Sequence, residues 1–144
     1  MIDLQSLVCG RLDNPSFTTL INAGPDGEAA IYAEGLQPSP FPHAAKPMVI
    51  VEPSRHEEDD DTLDEEYRIE SVGVRLYHKP DLDYLPLSTA AEWVRRRFKN
   101  WGPVSITGGE LVNATVSGPD PGPTTDPTLA GRVLRINFLI KETA

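Results

Sequence analysis

Apolar residues near the start of the chain fall at Leu4, Leu7, Val8 and Leu12, the spacing of one helical face. Asp3 stands where a side-chain carboxylate would cap the first turn of that helix. Asn14-Pro15 ends it and opens a short second turn carrying Phe17, Leu20 and Ile21. Gly24-Pro25-Asp26-Gly27 is a turn by composition. Residues 29–33 (AAIYA) predict a short strand. Residues 48–51 (MVIV), an unbroken apolar run stopped at Pro53, predict a strand buried on both faces.

Residues 67–77 give the longest strand in the pattern. Tyr67 and Ile69 alternate on odd positions, then Val72, Val74 and Leu76 on even ones. This change of phase across Ser71 and Gly73 predicts a β-bulge or a twist. Together with residues 48–51 the strand forms a hairpin with a long charged tip. Ser88 starts the best helix, in which Leu87, Ala90, Ala91, Val94, Phe98 and Trp101 make an apolar stripe about 100° wide. Such a helix lies across a sheet, and Gly102-Pro103 stops it. Val104 and Ile106 begin a strand, Gly108-Gly109 turns it, and residues 111–117 return. Residues 132–141 (RVLRINFLIK) close the pattern, with Leu134, Ile136, Phe138 and Ile140 on one face. The order α, short β, β, β, α, β, β, β defines an α+β fold: a mostly antiparallel sheet with two main helices packed on one face, a long hairpin tip and proline-rich loops.

The 144 residues form one predicted domain, 1–144, with no internal repeat and enough chain to bury a core without disulfide or metal staples. No apolar run approaches the roughly 18–20 residues of a membrane span, and the first residues (MIDLQSLVCG) lack the basic-then-apolar form of a signal peptide. A single cysteine, Cys9, excludes an intrachain disulfide and points to a reducing compartment. Proline collects in two stretches, Pro38 to Pro47 and Pro119 to Pro127, which read as long loops because proline belongs in neither a helix interior nor a central strand.

Charge changes the picture most. The net charge is -9, yet residues 57–66 (EEDDDTLDEE) hold eight carboxylates, leaving the other 134 residues at only -1. Such a run repels itself unless cations or a basic partner neutralise it. Three readings stand: a solvated hairpin tip, an electrostatic surface that meets a basic partner or lines a passage for DNA, or a strip that mimics DNA. A calcium loop fits poorly, because Leu63 falls where a third ligand belongs and the segment has no glycine. Basic charge gathers at Arg95, Arg96, Arg97 and Lys99, interleaved with Trp93, Phe98 and Trp101. Phe98 and Trp101 belong to the apolar stripe, whereas Trp93 lies beyond its edge, either as a protein-contact anchor beside arginines or folded onto the rim of its own sheet.

Catalytic signatures do not occur: the sequence has no GxGxxG, Walker loop, GxSxG or HExxH. His43, His56 and His78 lack the spacing and cysteine partners of a zinc site, and Cys9 has no identifiable base beside it. The sequence therefore predicts no enzyme, no cofactor and no metal.

The layout resembles a known family. An N-terminal amphipathic helix leads to Ile31-Tyr32, a proline-rich link and MVIVEPS; a long tip precedes a strand with Val72, Val74, Leu76 and Tyr77; the helix STAAEWVRRRF and a last strand with Arg132, Phe138 and Ile140 follow. This is similar to the tail-terminator or tail-completion proteins of long-tailed bacteriophages and gene-transfer particles, the lambda minor tail protein U group. The resemblance covers essentially the whole chain and rests on element order and length. It implies a homo-oligomeric ring of six that caps the tail tube, ends tube polymerisation and joins the tail to the head connector. Implied partners are further copies of the chain, the tail tube protein and a connector or stopper, with DNA passing through unbound and no membrane. Implied locations are the virion tail or neck, and the host cytoplasm during assembly. On that reading the interface residues are Glu57, Glu58, Asp59, Asp60, Asp61, Asp64 and Glu65 on the tip, and Trp93, Arg95, Arg96, Arg97 and Lys99 on the helix. Competing readings are a head-completion or stopper protein, an acidic inhibitor that mimics DNA, and a small enzyme or ligand-binding α+β domain.

Overall fold

The computed structural model describes residues 3–38, 46–56, 67–78, 85–121 and 130–142. Helix α1 (Leu4–Leu12) starts where Asp3 accepts the Ser6 amide, and α2 (Pro15–Thr18) is capped by Asn14 with Pro15 in its first turn. Strands β1 (Ile31–Ala33), β2 (Met48–Val51), β3 (Arg55–His56) and β4 (Tyr67–His78) precede α3 (Leu85–Phe98), and β5 (Val104–Ile106), β6 (Gly109–Pro121) and β7 (Ala130–Glu142) follow it. They form one seven-stranded sheet in the order β1-β2-β4-β7-β6-β5, with β3 beside the outer half of β4. Only the β1–β2 pair is parallel. The fold is α+β.

Strand register decides which residues share a face. Val49 pairs Leu76, and Val51 pairs Val74. Across the next ladder Val74 pairs Leu134 and Val72 pairs Ile136. Beyond it, Ile136, Phe138 and Ile140 oppose Val116, Ala114 and Leu111. These side chains meet Leu4, Val8 and Leu12 of α1, Phe17 of α2, and Leu87, Ala90, Ala91, Val94 and Phe98 of α3 in one core. All three helices therefore cover the same side of the sheet. Each fully buried Leu, Ile or Phe there contributes about 1.5–3 kcal/mol relative to exposure.

Several expectations need correction. Strand β4 carries no bulge, since it pairs β7 without a break from Tyr67↔Lys141 to His78↔Ala130. The phase change instead reflects uneven burial: residues 67–70 are all only half-buried, whereas Ser71, opposite the helices, and Val72, Val74 and Leu76, beneath them, are buried. The irregularity lies on the neighbouring edge, where β2 and β3 pair β4 in registers one residue apart, across Glu52, Pro53 and Ser54. Further register shifts fall in β6, between Leu111 and Asn113 and between Ser117 and Asp120.

Helix α3 starts at Leu85, ahead of Ser88, and ends at Phe98 before Gly102-Pro103 is reached. Asn100 adopts a positive φ of 59° and donates its amide to the Ala114 carbonyl at 2.9 Å, which stops the helix and ties it to β6. Pro119 and Pro121 lie inside β6, not in a loop. They are tolerated because β5 pairs only Gly109, Glu110 and Leu111, so β6 is the outermost strand from there on. The β5–β6 turn is Thr107-Gly108, with Gly108 at φ 85°, where a side chain would be strained.

Candidate functional site

The C-terminal half of α3 places the basic cluster beside α1 and α2. Glu92 accepts from Arg95 Nε at 2.9 Å and Nη2 at 2.6 Å, and from Arg96 Nε at 3.0 Å. The Arg95 bond, then that of Arg96, holds the Glu92 carboxyl down at about 2, and Arg95 rises in return. Arg97 turns the other way, its guanidinium carbon 5.9 Å from the centre of the Trp93 ring. Its carbonyl oxygen accepts two bonds from Arg11, from Nε at 3.2 Å and Nη2 at 3.0 Å. Arg11 also lies 4.0 Å from the Trp101 ring centre. Lys99 is exposed.

Trp93 stacks on Phe17 with ring centroids 4.6 Å apart and planes 27° from parallel. It is thus half-buried against the short helix α2, and it walls two open grooves. One, of about 340 Å³, is lined by Asn14, Ser16, Trp93, Arg96 and Arg97. The other, of about 380 Å³, joins Trp93 and Arg96 to Leu20, Ser88, Thr89 and Glu92. Trp93, Arg96 and Arg97 come together at one place, while Arg95 faces Glu92. The acidic residues Glu57, Glu58, Asp59, Asp60, Asp61, Asp64 and Glu65 lie outside the described residues, as does His43.

The helix-free side of the sheet carries a second polar array. Glu52 binds Arg75 Nε at 3.1 Å and Arg135 Nη2 at 3.3 Å, its chain passing over Gly73, where a Cβ would collide with it. Arg75 also binds Glu34, and Arg135 Nη1 donates to Ser71 at 3.3 Å. Burial opposes the charge on Arg75, but Tyr77, Glu34 and Glu52 outweigh it and keep the guanidinium firmly protonated. These residues pair with one another in one network across the sheet.

Other candidates are accounted for locally. Cys9 is half-buried against the core, and burial, then Asp3, pushes its thiol up, away from the reactive thiolate. His78 is buried in β4 and His56 exposed in β3. Among the described residues no three His, Cys, Asp or Glu side chains gather as a metal would require. No described helix is long and apolar enough to cross a membrane.

Sequence reasoning missed Arg11, Glu92 and the array on the bare sheet face. Glu92 had a readable signal, lying three and four positions before Arg95 and Arg96 on one helix. Arg11 had none, because its partner is 86 positions away.

The described surface thus combines a cationic-aromatic helix face beside two open grooves with a salt-bridged sheet face. No family model matches the chain, and no curated protein matches it significantly. Among solved structures it is similar to a chain of one described as "Virion of native gene transfer agent (GTA) particle". The TM-score is 0.69 at 15% identity, covering 96% of this chain and 95% of that one. At that identity the likeness is one of fold.

Proposed function

We propose that this chain is a structural subunit of a phage-like virion, assembling into a ring that caps the tail tube, ends tube growth and joins the tail to the head connector. The observation that carries the reading is an end-to-end match of fold with a virion chain, leaving little of either protein unpaired. The surface supports it. Polar groups on the sheet neutralise one another, while charged residues and a half-open aromatic site on α3 are left for partners. A ring forms from head-to-tail contacts that close by rotation, which requires two different surfaces on each copy. A chain near neutral outside one acidic run offers passing DNA little to hold.

The test is electron microscopy of the purified protein, alone and mixed with polymerised tail tubes. Rings, or tubes that carry a cap and no longer lengthen, are expected. Bare tubes that keep growing beside monomers overturn the reading, and a monomer that blocks a nuclease would place the chain among DNA mimics instead.

A further inference from the structure

Three arginines on the sheet are already paired with carboxylates. Arg68 binds Glu70 and Glu142, Arg75 binds Glu34 and Glu52, and Arg135 binds Glu52. The end of α3 differs. Arg95 and Arg96 share one carboxylate, that of Glu92. Among the described residues no carboxylate is within ion-pair distance of Arg97, Lys99 or Arg11. Arg97 Nε is buried without a hydrogen-bond partner, and burial together with the adjacent Arg97 charge holds Arg11 below its usual value. Arg97, with Arg96 beside it, lines an open groove of about 340 Å³ whose wall is the Trp93 ring.

The counter-charge is present in the same polypeptide. Residues 57–66 bring eight carboxylates, no cation and one apolar side chain, Leu63. Carboxylates suit the planar guanidinium forks of Arg96 and Arg97, and an aliphatic side chain suits an indole wall.

We propose that the acidic run at residues 57–66 of one copy docks on the Arg96, Arg97 and Trp93 groove of a second copy. The inference rests on the ring reading and names the two surfaces that meet. Acidic run and groove are different patches, so the contact is head-to-tail, and each copy gives one patch and receives the other. Opposite charge steers the encounter and fixes which surfaces meet, and salt weakens it.

The test pairs two charge-reversed full-length proteins. One carries Arg96→Glu and Arg97→Glu, the other Glu58→Lys, Asp59→Lys, Asp60→Lys, Asp61→Lys, Asp64→Lys and Glu65→Lys, which takes residues 57–66 from -8 to +4. Circular dichroism melts establish that both fold, and sedimentation measures association. Each variant alone is expected to associate at least about tenfold more weakly than the parent, and an equimolar mixture to recover parental association, because the reversed patches complement each other. A capped peptide of sequence EEDDDTLDEE should bind the parent, more weakly as salt rises, and should not bind the Arg96→Glu, Arg97→Glu protein. Unchanged association in both variants, or a mixture that does not recover, overturns the contact. So does a monomeric parent that ignores the peptide. Loss of thermal stability in each variant without any change in association would mean docking within one chain, and would overturn it as well. If both variants still form rings that cap tubes, this contact falls and the ring reading stands. If the mixture recovers association yet no tube is capped, the contact stands and the capping role falls.

Discussion

The guanidinium of Arg11 donates two hydrogen bonds, at 3.0 and 3.2 Å, to the main-chain carbonyl of Arg97, 86 residues further along the chain. A helix ends with carbonyls that have no amide to receive. Here one of them is satisfied from another helix, so Arg11 joins α1 to the last turn of α3. Its stem and charge also cover Trp101, 4.0 Å from the ring centre, and reach Phe98 at 5.8 Å. Replacing Arg11 with Met keeps much of the packing and removes the bonds and the cation. A loss of about 1–3 kcal/mol in urea unfolding is expected. Arg11→Lys should recover only part of it, since an ammonium cannot present two N–H groups side by side.

Glu92 gives a pH prediction with a definite sign. Its carboxyl is held at about 2 from an ordinary 4.5, first by Arg95. A carboxyl depressed on folding adds stability that is complete above its unfolded value and lost as pH falls through the folded one. Between about pH 4.5 and pH 2 the parent should therefore lose thermal stability more steeply than Glu92→Gln. The two melting curves should run parallel above about pH 5.5, and a constant difference across the acid range would contradict the assignment.

Much of the fold was legible because burial is one-sided. Leu4, Val8 and Leu12, the stripe from Leu87 to Phe98, and Leu134 to Ile140 each repeat with the period of their element. Strand β3 gave no such signal, since Arg55 and His56 are both exposed and held only by pairing to β4. Pro119 and Pro121 argued for a loop by local rule, and only the shortness of β5 makes a strand possible there. Of the candidate site, the Arg95–Lys99 cluster was visible as composition. Its division was not, because whether an arginine is paired depends on neighbours such as Glu92 and Arg11. The Glu52 bridge between Arg75 and Arg135 likewise requires three strands to be in register.

Gly102 marks the point where the chain leaves α3 for β5. Its φ is 130°, and a Cβ there would come within 2.6 Å of the Val112 carbonyl oxygen, which belongs to the backbone and cannot swing aside. Gly102→Ala should cost about 2–4 kcal/mol, read as a drop in the denaturation midpoint with an unchanged slope. Gly10→Ala is the control: nothing lies within 4 Å of a Cβ at that helical position, so it should be neutral or slightly stabilising.

Removing charge from the acidic run separates folding from assembly. With Asp59→Ser, Asp60→Ser and Asp61→Ser, the melting temperature should stay within a few degrees of the parent, because the changes relieve like-charge repulsion and remove no apolar side chain. The yield of joined particles should fall in a complementation assay. A parental yield would remove the acidic run from any part in assembly.

Strands β6 and β7 each have 13 residues, and α3 above them has 14. At roughly 3.3 Å per strand residue and 1.5 Å per helix residue, the hairpin runs about 43 Å and the helix about 21 Å. The helix therefore spans only part of the ribbon, and on β6 no residue past Ala114 is buried, whereas β7 keeps Gly131 and Leu134 buried. Deuterium uptake should be graded along β6, slowest at residues 111–114 and fastest towards 117–121, while β7 stays protected throughout. The far half of β6 thus hangs on β7 alone, while β7 itself is anchored to β4 from Ala130 to Lys141.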